Sequence, residues 1–107
     1  MKGEALKGHL DMLLLAALAE RPAHGYAVVE TLRSRSAGAF DLPEGTLYPA
    51  LHRLEESGLV SSCWKEQEGR RRRVYQLTVK GQKRLIERQT EWRTFARAVN
   101  DVVEGMA

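Results

Sequence analysis

A chain of 107 residues with 43% hydrophobic content fits one compact unit with a single modest core. Its longest apolar run, Met12 to Ala19, is eight residues long, against about 20 for a membrane-spanning helix, which excludes a bilayer span. The net charge of +3 hides an asymmetry, with 7 Lys/Arg against 10 Asp/Glu in residues 1–69 and 10 against 4 in residues 70–107. A basic half of this kind suits a polyanion met on one face, nucleic acid first and an anionic membrane surface second.

No charged start leads into an apolar stretch and a cleavage site, so the expectation is a cytoplasmic protein. The lone Cys63 has no internal disulfide partner and no companion thiolates for a metal site, which leaves it a packing role.

In chain order, Leu6, Leu10, Leu13, Leu14, Ala17 and Leu18 recur with helical spacing, predicting an amphipathic helix from about Glu4 to Glu20 that Arg21-Pro22 ends. A second helix is expected from about His24, with Tyr26, Val29 and Leu32 inward, ending before the small polar stretch Ser34 to Ala39. Pro43 suits the first turn of a third helix that reaches about Ser57, buries Leu47, Ala50, Leu51 and Leu54, and is closed by Gly58. Pro49 lies close enough to the N-terminus of this helix to be tolerated there.

Leu59 to Glu66 and Arg71 to Leu77 have strand-compatible spacing and are joined through Glu68-Gly69, predicting a β-hairpin. Thr78 is placed to cap a last helix from Val79 towards Glu104, about 39 Å long at 1.5 Å per residue. Along it Leu85, Trp92, Val99 and Met106 recur every seven residues, with Phe95, Ala96, Val102 and Val103 between them. The short helices of the same unit can cover only part of this stripe. Its distal part, Trp92 through Val103, therefore reads as a seam against a second copy of the chain, the competing reading being a helix that folds back on its own core. Leu6 and Leu10 are expected to join Trp92, Phe95, Val99 and Val102 in that interface.

The expected fold is mainly α with a small β-hairpin, a winged helix-turn-helix followed by a long C-terminal helix. Residues 1–78 would form the DNA-binding part and residues 79–107 the dimerisation helix, within one compact unit. The third helix presents Thr46, Tyr48, His52 and Arg53 as donors to base edges or phosphates. Arg70, Arg71, Arg72 and Arg73 open the second wing strand, and guanidinium forks match phosphate oxygens. Strand alternation sends about two of the four towards any one partner.

The run Gly45-Thr46-Leu47-Tyr48-Pro49-Ala50-Leu51-His52-Arg53-Leu54-Glu55, preceded by His24-Gly25-Tyr26 and followed by Trp64, Arg73, Tyr75, Leu77-Thr78 and Lys80-Gly81, resembles the PadR family of transcriptional regulators. The resemblance covers about residues 8–85, and the single terminal helix is similar to the short members of that family. It implies a dimeric repressor whose recognition helix opens at the Gly-Thr-Leu-Tyr element, with Thr46, Tyr48 and His52 on DNA and the wing on the backbone. Ala23 departs from the Ser or Thr that many members place before His-Gly-Tyr, which removes the usual side-chain cap of the second helix and leaves His24 or the preceding loop as the compensating groups.

His9, His24 and His52 lack the short spacings of common metal motifs, and no nucleophile, paired-carboxylate or glycine-rich phosphate signature stands out, so neither an enzyme nor a bound metal or cofactor is expected. The competing reading is a winged-helix module that docks on another protein. On that reading, removing the arginine run weakens a protein complex and leaves DNA affinity untouched. Trp92 adds one further candidate role, stacking on a small aromatic effector in a gap of the seam; packing within the dimer core is its simpler one.

Overall fold

The structure is a computed structural model that describes residues 8–105. Leu6 and Met106, both assigned to the seam, lie outside the described residues, as does the expected first turn of the first helix. The elements are α1 (Leu10–Glu20), β1 (Ala23–His24), α2 (Gly25–Arg35), α3 (Glu44–Glu56), β2 (Val60–Gln67), β3 (Arg70–Leu77) and α4 (Val79–Val103). Helices dominate, beside one antiparallel sheet in the order β1-β3-β2.

Helix α1 is the centre of the core, packed against α2, α3, α4 and β3. Being enclosed on several sides, it buries Leu15 as well as Leu14, Ala17 and Leu18, more than a single stripe. The same enclosure corrects one expectation. Leu10, assigned to the dimer seam, is only 4% exposed within its own chain and belongs to the core cluster. Among the described residues no helix is long and apolar enough to cross a membrane.

Helix α2 starts at Gly25, so its inward positions are Gly25, Val28, Val29 and Leu32. Tyr26, expected inward, is 65% exposed. It follows Gly25 by one residue, about 100° around the helix axis, and that rotation carries it out of the buried stripe. The segment before α2 holds a strand that was not expected: Ala23 pairs with Tyr75 and His24 with Val74. Two residues are too few for an alternation pattern to register.

Pro43 sits at the N-cap of α3, one residue ahead of its expected place, and helical residues run from Glu44. At the other end Gly58 adopts φ +76°. The Gly58 amide donates to the Glu55 carbonyl and the Leu59 amide to the Leu54 carbonyl, both at 3.0 Å. This is a Schellman cap, and the buried pair Leu54 and Leu59 forms its apolar contact. The hairpin turns through Glu68 (φ +53°) and Gly69 (φ +74°). Two successive positive φ values make a type I′ turn, whose twist matches that of the strands it joins.

Thr78 caps α4 as expected, its hydroxyl accepting from the Gly81 amide at 3.0 Å. The 25 residues of α4 bury only Gly81 and Leu85. The rest of the helix runs on past the core, giving a molecule 58 Å long and 28 Å wide.

Candidate nucleic-acid interface

Helix α3 buries Leu47, Ala50, Leu51 and Leu54, which turns Thr46, Tyr48, His52 and Arg53 to the surface together. His52 Nε2 lies 3.1 Å from Glu56 Oε1, one turn further along. Tyr48 is held from behind: its ring rests on the backbone of Gly25, where a Cβ would stand 2.5 Å from the phenolic oxygen and 2.8 Å from Cζ. Gly25 is therefore the seat of the Tyr48 ring, a role hidden from sequence spacing because it joins two helices. Replacing Gly25 by Ala is expected to displace Tyr48 and, on the expectation that Tyr48 meets a base edge, to weaken specific DNA binding about tenfold. Fluorescence anisotropy on a selected duplex measures this, and in a Tyr48→Ala background the same change should add nothing.

The wing brings Arg71, Arg72 and Arg73 close to α3 and gives its four arginines different surroundings. Arg70 is exposed at the hairpin tip, paired in register with Gln67. The Arg71 guanidinium lies 5.3 Å from the centre of the Trp64 ring, a cation–π arrangement. Arg72 Nη1 is 3.2 Å from Nε2 and 3.3 Å from Nδ1 of His24. A donor nearly equidistant from both ring nitrogens stands over the imidazole rather than in line with either lone pair. Arg73 donates to Ser62 and Glu55 and lies over Tyr75. Between wing and helices runs an open groove of about 390 Å³, walled by Tyr26, Tyr48, Trp64, Arg71 and Tyr75.

His24 supplies the capping that Ala23 lacks. Its Nδ1 accepts from the Ala27 amide at 3.3 Å at the start of α2. Burial foremost, and then the nearby Arg72 charge, hold the imidazole below its ordinary pKa of 6.5, while Glu68 acts in the opposite sense. Protonation would also remove the acceptor that caps α2. With the folded-state pKa below the unfolded one, the unfolded chain takes up the proton first. The contribution of His24 to stability is then complete above pH 6.5 and declines as pH falls towards the lowered value. Urea melts at neutral pH and at about pH 5 should show a smaller acid loss in His24→Asn, which keeps a capping acceptor but does not titrate, than in the parent. Equal losses would assign the acid sensitivity elsewhere.

On α4 the first residue of the heptad stripe, Leu85, belongs to the chain's own core, and the distal ones stand outside it. Trp92, Phe95, Val99, Val102 and Val103 are all exposed within the single chain. Trp92 meets the His9 ring edge-on at 5.1 Å and Phe95 at 6.2 Å. His9, Met12, Arg88, Trp92 and Phe95 together wall a cavity of about 320 Å³.

The fold has close counterparts among known proteins. The pattern of the transcriptional regulator PadR-like family matches residues 14–87, most of the chain. The chain belongs to the PadR-like family. A transcriptional regulator of Mycobacterium tuberculosis is 38% identical over 81 residues, 76% of this chain and 73% of its own. The crystal structure of a PadR family transcriptional regulator from Eggerthella lenta superposes with TM-score 0.81 at 35% identity, covering 94% of this chain and 87% of that one. A transcriptional regulator from Clostridium thermocellum superposes with TM-score 0.84 at 29% identity, over 92% and 97% of the two chains.

This PadR-like protein is thus a transcriptional regulator that acts through DNA, in a family of regulators and not of enzymes. Its winged helix is the family fold.

Proposed function

We propose that this PadR-like regulator is a homodimeric repressor that binds an inverted-repeat operator in the cytoplasm. The observation that carries the reading is the groove in which Tyr48 of α3 stands beside Arg71, Arg72 and Arg73 of the wing, with Thr46, His52 and Arg53 exposed on the same helix. Residues 1–78 form the reading head, with α3 in the major groove and Arg70, Arg71 and Arg72 on flanking phosphates. Residues 79–107 form the dimerisation arm, joined through Trp92, Phe95, Val99 and Val102, whose exposure in the single chain supports that role. Two reading heads related by a two-fold axis address half-sites about 34 Å apart.

The cavity beside Trp92 favours one addition, relief of repression by a small aromatic effector that stacks on the indole. Quenching of Trp92 fluorescence by a panel of aromatic compounds, measured with Trp64 replaced by Phe, tests this part separately.

The main test is selection of duplexes from a randomised pool, followed by affinity for the winner and for scrambled DNA across a salt series. An enriched inverted repeat is expected, with log affinity falling by about 0.9 per decade of salt for each phosphate contacted. Enrichment of no sequence would favour the protein-docking reading.

A further inference from the structure

The wing arginines are alike in sequence but not in surroundings. Among the described residues, Arg73 is the wing arginine that pairs with a carboxylate, that of Glu55. Its Nε donates to Ser62 Oγ at 2.9 Å, and its Nη2 lies 3.2 and 3.5 Å from the two Glu55 oxygens. Ser62 Oγ in turn donates to Glu55 Oε2 at 2.6 Å, which closes a ring of three side chains. The three come from separate elements: Glu55 from the last turn of α3, Ser62 from β2 and Arg73 from β3. The Glu55 side chain is 27% exposed, the most sheltered of the carboxylates in ion pairs among the described residues.

We propose that Arg73 is a positioning residue: with Ser62 and Glu55 it sets the angle between recognition helix and wing, and it does not serve as a phosphate contact. This rests on the DNA-binding reading above and departs from the sequence-based assignment of Arg73 to DNA. Were Arg73 to swing out to a phosphate, it would leave a partly sheltered carboxylate with one hydroxyl donor, and would place that negative charge beside the polyanion uncompensated. Arg70 and Arg71 have no carboxylate to give up. The geometry also accounts for an acidic residue on the recognition helix of a DNA-binding protein. Glu55 faces inward across the α3–wing junction and its charge is answered there, whereas an unpaired carboxylate in that place would repel the phosphates.

The test turns on sign. If Glu55 acts on DNA only through its charge, replacing it removes repulsion and tightens binding to every duplex. If it braces the wing, Glu55→Gln and Glu55→Ala weaken binding to the selected operator and lower its preference over scrambled DNA. We expect that preference to fall about fivefold or more in Glu55→Ala and in Arg73→Ala, with the double variant no worse than either single one, as for two parts of one network. The salt slope separates the arginines: Arg71→Ala should reduce it by about one contact, and Arg73→Ala should leave it unchanged. Thermal melting beside each titration identifies a variant that has failed to fold, in which case Ser62→Ala and Glu55→Gln carry the test.

A slope reduced in Arg73→Ala as in Arg71→Ala, together with tighter binding by Glu55→Gln, would overturn the proposal and restore Arg73 as a phosphate ligand. Those results presuppose a parent protein that discriminates its operator. A parent that enriches no sequence would overturn the DNA-binding reading itself, and the role of Arg73 with it.

Discussion

Phe95→Glu is expected to convert the regulator to a folded monomer that has lost at least 100-fold in operator affinity. Phe95 is 58% exposed and is not part of the core cluster, so the substitution leaves no cavity inside the chain and the melting temperature of the reading head should barely move. In the proposed dimer this position enters an apolar seam, where a carboxylate is stripped of water, and Arg88, which shares the Phe95 cavity, is already accompanied there by Glu91. Two linked reading heads gain roughly 10²–10⁴ over one through effective concentration, and a monomer forfeits that gain without losing any contact to DNA. Sedimentation velocity reads the mass and anisotropy reads the affinity. Val102→Glu, at a position 82% exposed, should act in the same direction. A dimer that persists in both variants would remove α4 from the interface.

Gly81→Ala is expected to cost about 2 kcal/mol of stability, although alanine is the better helix former. A Cβ at Gly81 would overlap the carbonyl oxygen of Leu59 and also touch the Leu77 side chain. That carbonyl has little freedom to yield, since it accepts from the Thr78 amide at 3.1 Å while the Leu59 amide is held by Leu54 in the Schellman cap. Overpacking against a fixed backbone costs about 3 kcal/mol, and helix propensity returns roughly 1. The melting temperature should fall by about 10 °C in a domain of this size. Gly45→Ala is the internal control. It also lies in a helix, α3, but a Cβ there meets nothing within 4 Å, so the same chemical change should stabilise by up to about 1 kcal/mol. If both variants lost stability alike, the close approach at Gly81 would not be the cause.

Much of this fold was legible because its signals are local. The Thr78 cap, the Gly58 helix end and the Glu68-Gly69 turn each depend on residues within a few positions of one another. The exposed side of α3 followed from the spacing of its buried leucines. What escaped depended on distant partners. β1 exists because β3 offers an edge to two residues with no pattern of their own. Leu10 was placed on the seam because periodicity records that a residue is apolar but not which surface covers it. Glu55 and Arg73 are eighteen positions apart, and nothing in either residue marks it as the other's partner. The resemblance to PadR proteins named the wing as a contact surface, but only packing separates an arginine that faces solvent from one that faces Glu55.

The short length of β1 has a consequence for the protein in concentrated solution. Its register ends at His24 and Val74, so among the described residues no strand pairs with β3 on that side along Arg70 to Arg73. Unpaired backbone of this kind is a template for another strand, and a hairpin projecting from a small domain would be prone to edge-to-edge aggregation. Here the open edge coincides with four consecutive arginines, and a second wing approaching it would bring the same charges. The run from which the proposed phosphate contacts are drawn would thus also keep wings from joining one another. Exchanging all four for neutral residues is expected to lower solubility, independently of any effect on DNA binding.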